Sequence, residues 1–431
     1  MNLGALMQQR LAEDGPIRAG LIGAGKFGSM FLAQVPTTLG LEVSAIADLD
    51  PDRARSACRH VGWDEGQVGA TAFLESGNDL AARDDVDVVI EATGNPIAGI
   101  DHALAAISAG KHVVMVNVEA DVLCGAALAE RARAAGVVYS MAYGDQPALT
   151  SELVDWARAS GFRVVCAGKG SKYLPGYHQV TPDDVWQHYG LAAEEAKAAG
   201  MNSQMFCSFV DGTKSAIEMA AIANACDLAV PEDGLAFPPC GVDDLASVLR
   251  PREVGGVLDQ AGMVEVVSSL QRDGQEVFRD LRWGVYVVIE ARNDYAASCF
   301  RQYGLCIDET GRYAAMYKPF HLIGMELGIS VLNAALRGEP TGSTHAFRGD
   351  VVAIAKRDLV PGDMLDGEGG YTVWGKVIPA AKSLSRNALP IGFAHDIEVK
   401  KPVAKGEVVT FSHLAGLPDT SALHLRQTMT G

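Results

Sequence analysis

An apolar run, Ile17-Arg18-Ala19-Gly20-Leu21-Ile22, passes straight into Gly23-Ala24-Gly25-Lys26-Phe27-Gly28, and a second run, Val43-Ser44-Ala45-Ile46-Ala47, closes on Asp48. Short apolar runs flanking a glycine turn and a helical stretch predict a parallel βαβ crossover. Each glycine has a separate physical role. Gly23 allows the tight turn, Gly25 the close approach of backbone N–H groups to a pyrophosphate, and Gly28 close helix–strand packing. Lys26 and Phe27 sit where the helix N-terminus offers free N–H groups and about half a positive charge to an anion. Asp48, twenty residues past Gly28, is placed to accept from a ribose. A dinucleotide site is therefore expected here.

The alternation of strand and helix continues. Asp50-Pro51-Asp52 starts a helix, residues 87–92 and 112–116 read as buried strands, 100–110 and 125–136 as helices, and 137–140 as a last strand. That pattern predicts an α/β fold with a doubly wound parallel sheet, a Rossmann domain over 1–160 preceded by a short amphipathic helix within 1–15. A strand at 162–167, helices at 191–199 and 213–225, a strand at 283–290 and a long apolar helix at 320–336 predict an α+β middle domain over 161–345, for substrate binding, catalysis and dimerisation. Residues 337–342 read as its closing linker. Beyond residue 347 helical periodicity gives way to short apolar runs and Pro/Gly turns, which predicts a small all-β domain over 346–431.

With 36 basic against 53 acidic residues the chain carries a net charge of −17, which disfavours broad attraction to nucleic acid or anionic lipid. No apolar run reaches the length needed to cross a bilayer and no export signal precedes Ile17, so no membrane association and a cytoplasmic location are expected. The eight cysteines are scattered without CxxC or zinc-type spacing and read as buried thiols.

The first domain, with Gly23 to Gly28, Asp48 and Glu91-Ala92-Thr93-Gly94-Asn95-Pro96, resembles the homoserine dehydrogenase-like oxidoreductases. The tail resembles a SAF (β-clip) module in Ala355-Lys356-Arg357-Asp358-Leu359-Val360-Pro361-Gly362-Asp363-Met364-Leu365 and in Gly392-Phe393-Ala394-His395-Asp396-Ile397 through Lys405-Gly406-Glu407. Together they resemble the 1-deoxy-D-xylulose 5-phosphate reductoisomerase-like enzymes, distinct from the ordinary reductoisomerase. The resemblance implies an NADPH-dependent conversion of 1-deoxy-D-xylulose 5-phosphate to 2-C-methyl-D-erythritol 4-phosphate, in isoprenoid precursor synthesis. One departure bears on the competing reading: where homoserine dehydrogenases carry an Asn-Lys pair after the fifth strand, this chain has Val116-Asn117-Val118-Glu119.

Several residues can carry such chemistry. Thr93, Gly94 and Asn95 end the fourth strand and Asn117 and Glu119 follow the fifth, where the crevice rule for open sheets puts the nicotinamide; loop and solvated-helix roles are the alternative. Asp48 favours NAD, whereas Arg53 and Arg55 could approach a 2′-phosphate, so both NAD and NADP stay open. Lys169, Ser171 and Lys172 lie in a Gly-Lys-Tyr stretch at 168–178 that reads as a loop able to hold a substrate phosphate, with His178 as a further acid or base or a surface residue. Asp211, Lys214 and Glu218 read as neighbours at a helix start, Lys214 polarising a carbonyl or donating a proton between the two acids; a surface ion-pair string is the alternative. Rearranging a carbon skeleton would call for Mg²⁺ or Mn²⁺, with Asp145 and the acids near Lys214 as candidate ligands and no spaced carboxylate motif to fix them.

Three functions follow as expectations: a reductoisomerase on a small phosphorylated carbonyl compound, a dehydrogenase acting on a semialdehyde or sugar-derived alcohol without rearrangement, and a coenzyme-binding sensor whose tail engages a partner. A homodimer is expected from the apolar helices of the middle domain.

Overall fold

The computed structural model describes residues 2–198 and 200–429. Met1, Ala199, Thr430 and Gly431 lie outside them, and with them the first residue of the expected helix at 1–15 and the last of that at 191–199. The chain divides into two compact units, one of Met1–Leu149, His321–His345 and Thr420–Gly431, the other of Thr150–Phe320 and Ala346–Asp419.

Unit 1 is built on six parallel strands: β1 (Ile17–Ile22), β2 (Leu41–Ala47), β3 (Ala72–Leu74), β4 (Val88–Glu91), β5 (His112–Met115) and β6 (Tyr139–Met141), in the order β3-β2-β1-β4-β5-β6. The strands are apolar almost throughout because helices cover both faces of such a sheet. The order reverses between β1 and β4, which leaves a crevice at their carboxyl ends. Side chains fix where the helices begin. Asp50 accepts from the N–H groups of Asp52 and Arg53 ahead of the helix Pro51–His60, Asn95 caps Pro96–Ser108, and Asn117 caps Val118–Ala134.

Three segments of unit 1 differ from expectation. The apolar stretch from Phe320 is helical only over Gly328–Arg337, and the helix Leu3–Glu13 packs against it with Met7 buried. The expected linker is bonded structure: Thr341 donates its N–H to the Ser140 hydroxyl oxygen and its hydroxyl to the Met141 carbonyl, and the Gly342 carbonyl accepts from the Met141 N–H at 2.7 Å. The end of the chain forms a helix, Ser421–Thr428, whose buried Arg426 donates to the Leu123 carbonyl at 2.9 Å.

In unit 2, β7 (Arg163–Ser171), β8 (Met263–Ser268), β9 (Val285–Glu290), β10 (Cys306–Ile307) and β11 (Tyr313–Lys318) form a mixed sheet in the order β10-β11-β9-β7-β8. The expected loop after residue 167 is strand as far as Ser171. A Cβ at Gly168 or Gly170 would overlap the carbonyl oxygens of Glu265 and Leu281, so these glycines serve close backbone packing and not mobility. In the tail, β12 (Gly349–Ala355) pairs with β14 (Val373–Pro379), and β13 (Met364–Asp366) pairs with β15 (His395–Glu398). This part is not all-β, since the helix Ala380–Ser385 follows β14. Both β12 and β14 pack on the buried helix Thr213–Cys226, so residues 346–419 share the core of unit 2.

No helix among the described residues is long and apolar enough to cross a membrane. Of the eight cysteines, Cys58, Cys124, Cys166, Cys207, Cys226 and Cys240 are buried, while Cys299 and Cys306 are half-buried.

Candidate active site

The turn after β1 meets the geometric needs of a pyrophosphate. Gly23 has φ +95°, and a Cβ on it would lie 2.7 Å from the Ala92 carbonyl oxygen across the crevice to β4. A Cβ on Gly28 would lie 2.5 Å from the Gly23 carbonyl oxygen, so the helix Lys26–Gln34 can sit this close only with glycine there. Gly25 differs: it precedes that helix and a Cβ on it meets nothing within 4 Å. It thus leaves room at the start of the helix, where free N–H groups stabilise an anion. Lys26 is exposed beside it and Phe27 half-buried.

Asp48 is buried at the end of β2 and shapes the same turn. Its carboxylate accepts from the N–H of Ala24 at 2.9 Å, the N–H of Asp50 at 3.0 Å and the Arg53 guanidinium at 2.6 Å. Burial pushes the carboxyl up, but the two backbone N–H groups and Arg53 outweigh it and hold it below its usual range. Arg53 is thus bound to Asp48 by a side chain still 62% exposed. Arg55 instead pairs with Asp52 and covers the Phe73 ring.

At the ends of β4 and β5 the polar groups form one connected set. Thr93, Gly94 and Asn95 are exposed, Gly94 with φ +74° and open space around it. The Thr93 hydroxyl donates to Glu91 at 2.6 Å, and Glu91 also faces His102 Nδ1 at 3.2 Å. Glu91 is wholly buried and its Oε2 has no hydrogen-bond partner among the described residues. Asn117, also buried, donates to the Asn95 carbonyl at 2.8 Å and accepts from the Ala120 N–H at 3.1 Å. It therefore ties the β4 loop to the β5 loop, a positioning role. Glu119 sits half-buried in the first turn of the next helix. Asp145 is buried, accepts from the Gln146 N–H at 2.9 Å, and lines a small void with Asp121, Val118 and Met141. Sequence reasoning missed Asp121, which accepts from the hydroxyls of Tyr139 and Thr344, both at 2.9 Å, and whose carboxyl burial pushes up to about 6. It also passed over Glu91 and His102, although Glu91 stands inside the Glu-Ala-Thr-Gly-Asn-Pro motif.

In unit 2 the expected members do not all share one helix, and both acids meet lysines from distant segments. Asp211 ends the preceding helix, Ser203–Val210, and Gly212 at φ +91° separates it from the helix of Lys214. Its carboxylate accepts from the Thr213 N–H at 2.8 Å and lies 2.8 Å from the ammonium of Lys356, a fully buried lysine that also donates to the carbonyls of Val180 and Gly370. Glu218 pairs with Lys169 of β7, both buried. Lys169 therefore faces a carboxylate and cannot join Ser171 and Lys172 in one phosphate loop, and Lys172 donates to the His188 carbonyl at 2.6 Å. Lys214 is half-buried one helical turn before Glu218, on the same face. His178 is no surface residue: its Nδ1 must donate to the Asp211 carbonyl at 2.6 Å, which leaves Nε2 to accept from Tyr173 at 2.9 Å, while its ring stacks on Trp374. Burial holds its pKa below the usual histidine range.

A divalent metal fits this arrangement poorly. Each candidate acid near Lys214 is held by another lysine's ammonium, and no group of three or more metal-ligating side chains comes together among the described residues.

Residues 19–142 match the NAD-binding domain of homoserine dehydrogenase, and residues 144–327 match the catalytic domain of oxidoreductase DRL. The two matches lie side by side along the chain, and each covers less than half of it. Similar proteins include homoserine dehydrogenase of Neisseria gonorrhoeae, 33% identical over 111 residues, or 24% of this chain and 23% of that protein. Inositol 2-dehydrogenase 3 of Saccharopolyspora erythraea is 37% identical over 98 residues, 22% of this chain and 26% of that protein. The chain thus spans about a quarter of the length of these relatives. Among solved structures, a probable dehydrogenase from Thermotoga maritima aligns with 75% of this chain and 90% of its own, at 16% identity and a TM-score of 0.39. A DOX-P reductoisomerase in complex with magnesium aligns with 50% and 58%, at 16% identity and a TM-score of 0.33. Both likenesses are too loose to carry an argument.

Proposed function

We propose that the protein reduces the carbonyl group of a small substrate, or oxidises the corresponding alcohol, with NAD(P)H or NAD(P)⁺ as hydride carrier. The observation that carries this reading is the glycine turn at the order reversal of the sheet, open in front of Gly25 and closed by an ionised Asp48. When bound, the coenzyme supplies or takes the hydride. The protein's own part is to hold it and to manage the proton at the carbonyl oxygen.

Lys214 is assigned to the proton. It is half-buried in the first turn of the helix Thr213–Cys226, and one turn further on Glu218 is joined to Lys169. A positive charge beside a developing alkoxide stabilises it, and an ammonium can deliver the proton. The Glu218–Lys169 pair keeps a second proton-bearing group behind it. Burying both partners costs desolvation that their attraction rarely exceeds, so such a pair makes a poor structural ornament and a reasonable site component. Asn117 positions the two crevice loops and Glu119 stays in the first turn beside them.

The coenzyme is NAD or NADP. An ionised Asp48 suits a free ribose diol, while the exposed guanidinium of Arg53 can turn toward a 2′-phosphate. Conversion without skeletal rearrangement is the simpler reading, given the lysine-held acids. A second reading, carried by the resemblance in the sequence, is a reductoisomerase on 1-deoxy-D-xylulose 5-phosphate, and its need for Mg²⁺ or Mn²⁺ sits poorly with the lysine-held acids.

One assay tests both. NADH and NADPH oxidation is followed with a panel of carbonyl compounds, phosphorylated and not, with and without Mg²⁺, and the product skeletons are identified. Turnover is expected, and Lys214→Met should lower kcat by about 10²- to 10⁴-fold with coenzyme affinity nearly unchanged. An unrearranged product without metal selects the simple reduction, and a branched skeleton that requires metal selects the reductoisomerase. Failure of calorimetry to detect either coenzyme would end the redox reading.

A further inference from the structure

Unit 2 holds a second cationic cluster, apart from the lysine–carboxylate pairs. Lys172 follows β7, Arg282 and Trp283 precede β9, and Tyr189 ends the short helix Val185–Tyr189. The Arg282 guanidinium carbon lies 4.7 Å from the Trp283 ring centroid and 5.6 Å from that of Tyr189. Two rings therefore flank one guanidinium, an arrangement that fixes its plane. Lys172 is held by the His188 carbonyl. Neither cation is paired with a carboxylate among the described residues, although acids outnumber bases 53 to 36 along the chain.

Two neighbouring cations, neither in an ion pair with a carboxylate side chain among the described residues, favour an anion. Burial pushes the Lys172 ammonium below its usual range, the charge of Arg282 pushes the same way, and Glu276 opposes them more weakly. Trp283 is 54% exposed, which leaves the flank open to a ligand.

We propose that Lys172 and Arg282 bind the phosphate monoester of the substrate, with Trp283 and Tyr189 holding the guanidinium in place. The proposal rests on the reductase reading for what the ligand is, and it replaces the expected trio of Lys169, Ser171 and Lys172 with a pair separated by more than a hundred residues of chain. A guanidinium offers two parallel N–H donors to phosphate oxygens, and a lysine adds a point charge.

The test uses the full chain and inorganic phosphate at constant ionic strength, read by tryptophan fluorescence and by calorimetry. A saturable response is expected in the wild type, weakened about ten-fold or more in Lys172→Gln and in Arg282→Gln. Arg282→Lys, which keeps the charge, should retain part of the affinity and guards against a folding artefact, and Trp283→Phe should lose signal while calorimetry still detects binding. A response that never saturates, one that acetate reproduces at equal concentration, or one that both glutamine variants leave unchanged would overturn the site. These measurements need no turnover: phosphate binding without any carbonyl reduction would sink the reductase reading and leave the anion site, and turnover without phosphate binding would do the reverse.

Discussion

Gly25 and Gly28, three residues apart, make opposite demands on the same turn. At Gly25 a methyl group would enter open space in front of the helix N-terminus, the volume assigned to the pyrophosphate, and its φ of −72° suits alanine. Gly25→Ala should therefore keep the thermal midpoint and weaken NAD(P) binding about ten-fold or more in a calorimetric titration. At Gly28 the methyl group would press on the Gly23 carbonyl oxygen at 2.5 Å. Gly28→Ala should cost about 1–3 kcal/mol in urea unfolding even without coenzyme. These roles were legible from the sequence because all the partners of each glycine lie within one crossover. The roles of Lys169 and Asp211 were not. Lys169 meets Glu218 from 49 residues away and Asp211 meets Lys356 from 145 away, so the local spacing that suggested Lys214 as the partner of Asp211 and Glu218 had no view of these two lysines.

Among the elements, β8 carries the most consequential buried charge. Glu265 accepts from the N–H groups of Ala236, Phe237 and Val266, yet burial outweighs these bonds and pushes its carboxyl up to about 7. A folded-state pKa above the unfolded value means that the native state binds the proton more tightly, so its stabilising effect is full below about pH 4.5 and is lost as pH rises through 7. Glu265→Gln should flatten the stability profile between pH 4.5 and 7 by roughly 3 kcal/mol, measured by urea unfolding at both ends of that window. Asp121 adds a smaller loss of the same sign as pH approaches 6 in unit 1. In the same way, the strand β7 shows where local reading fails: Gly-Lys-Gly has the composition of a loop, but backbones crossing at contact distance require residues without side chains. The parallel sheet of unit 1 was readable because its apolar runs, caps and turns agree with one another, whereas the helix Ser421–Thr428 stood in a region whose short apolar runs suggested strands.

Across the whole molecule, chain order and structural membership part company. The tail at 346–419 shares the core of unit 2 through β12, β14 and the Lys356–Asp211 pair, which is 2% and 0% exposed at its side chains. Lys356→Met would leave the Asp211 carboxylate buried without its counter-charge and two carbonyls without a donor, and should destabilise unit 2 by about 3–5 kcal/mol, with much of that recovered in the double variant with Asp211→Asn. Equal midpoints for the single and double variants in chemical denaturation would refute the coupling.

Unit 1 has its own long-range dependence: the helix Ser421–Thr428 lies against Val118–Ala134, with Arg426 on the Leu123 carbonyl. During translation the six-stranded sheet is made early, yet one of its covering helices emerges from the ribosome only after nearly three hundred intervening residues. Until then the six-stranded unit lacks one of the surfaces that cover it, so its folding waits on residues far along the chain.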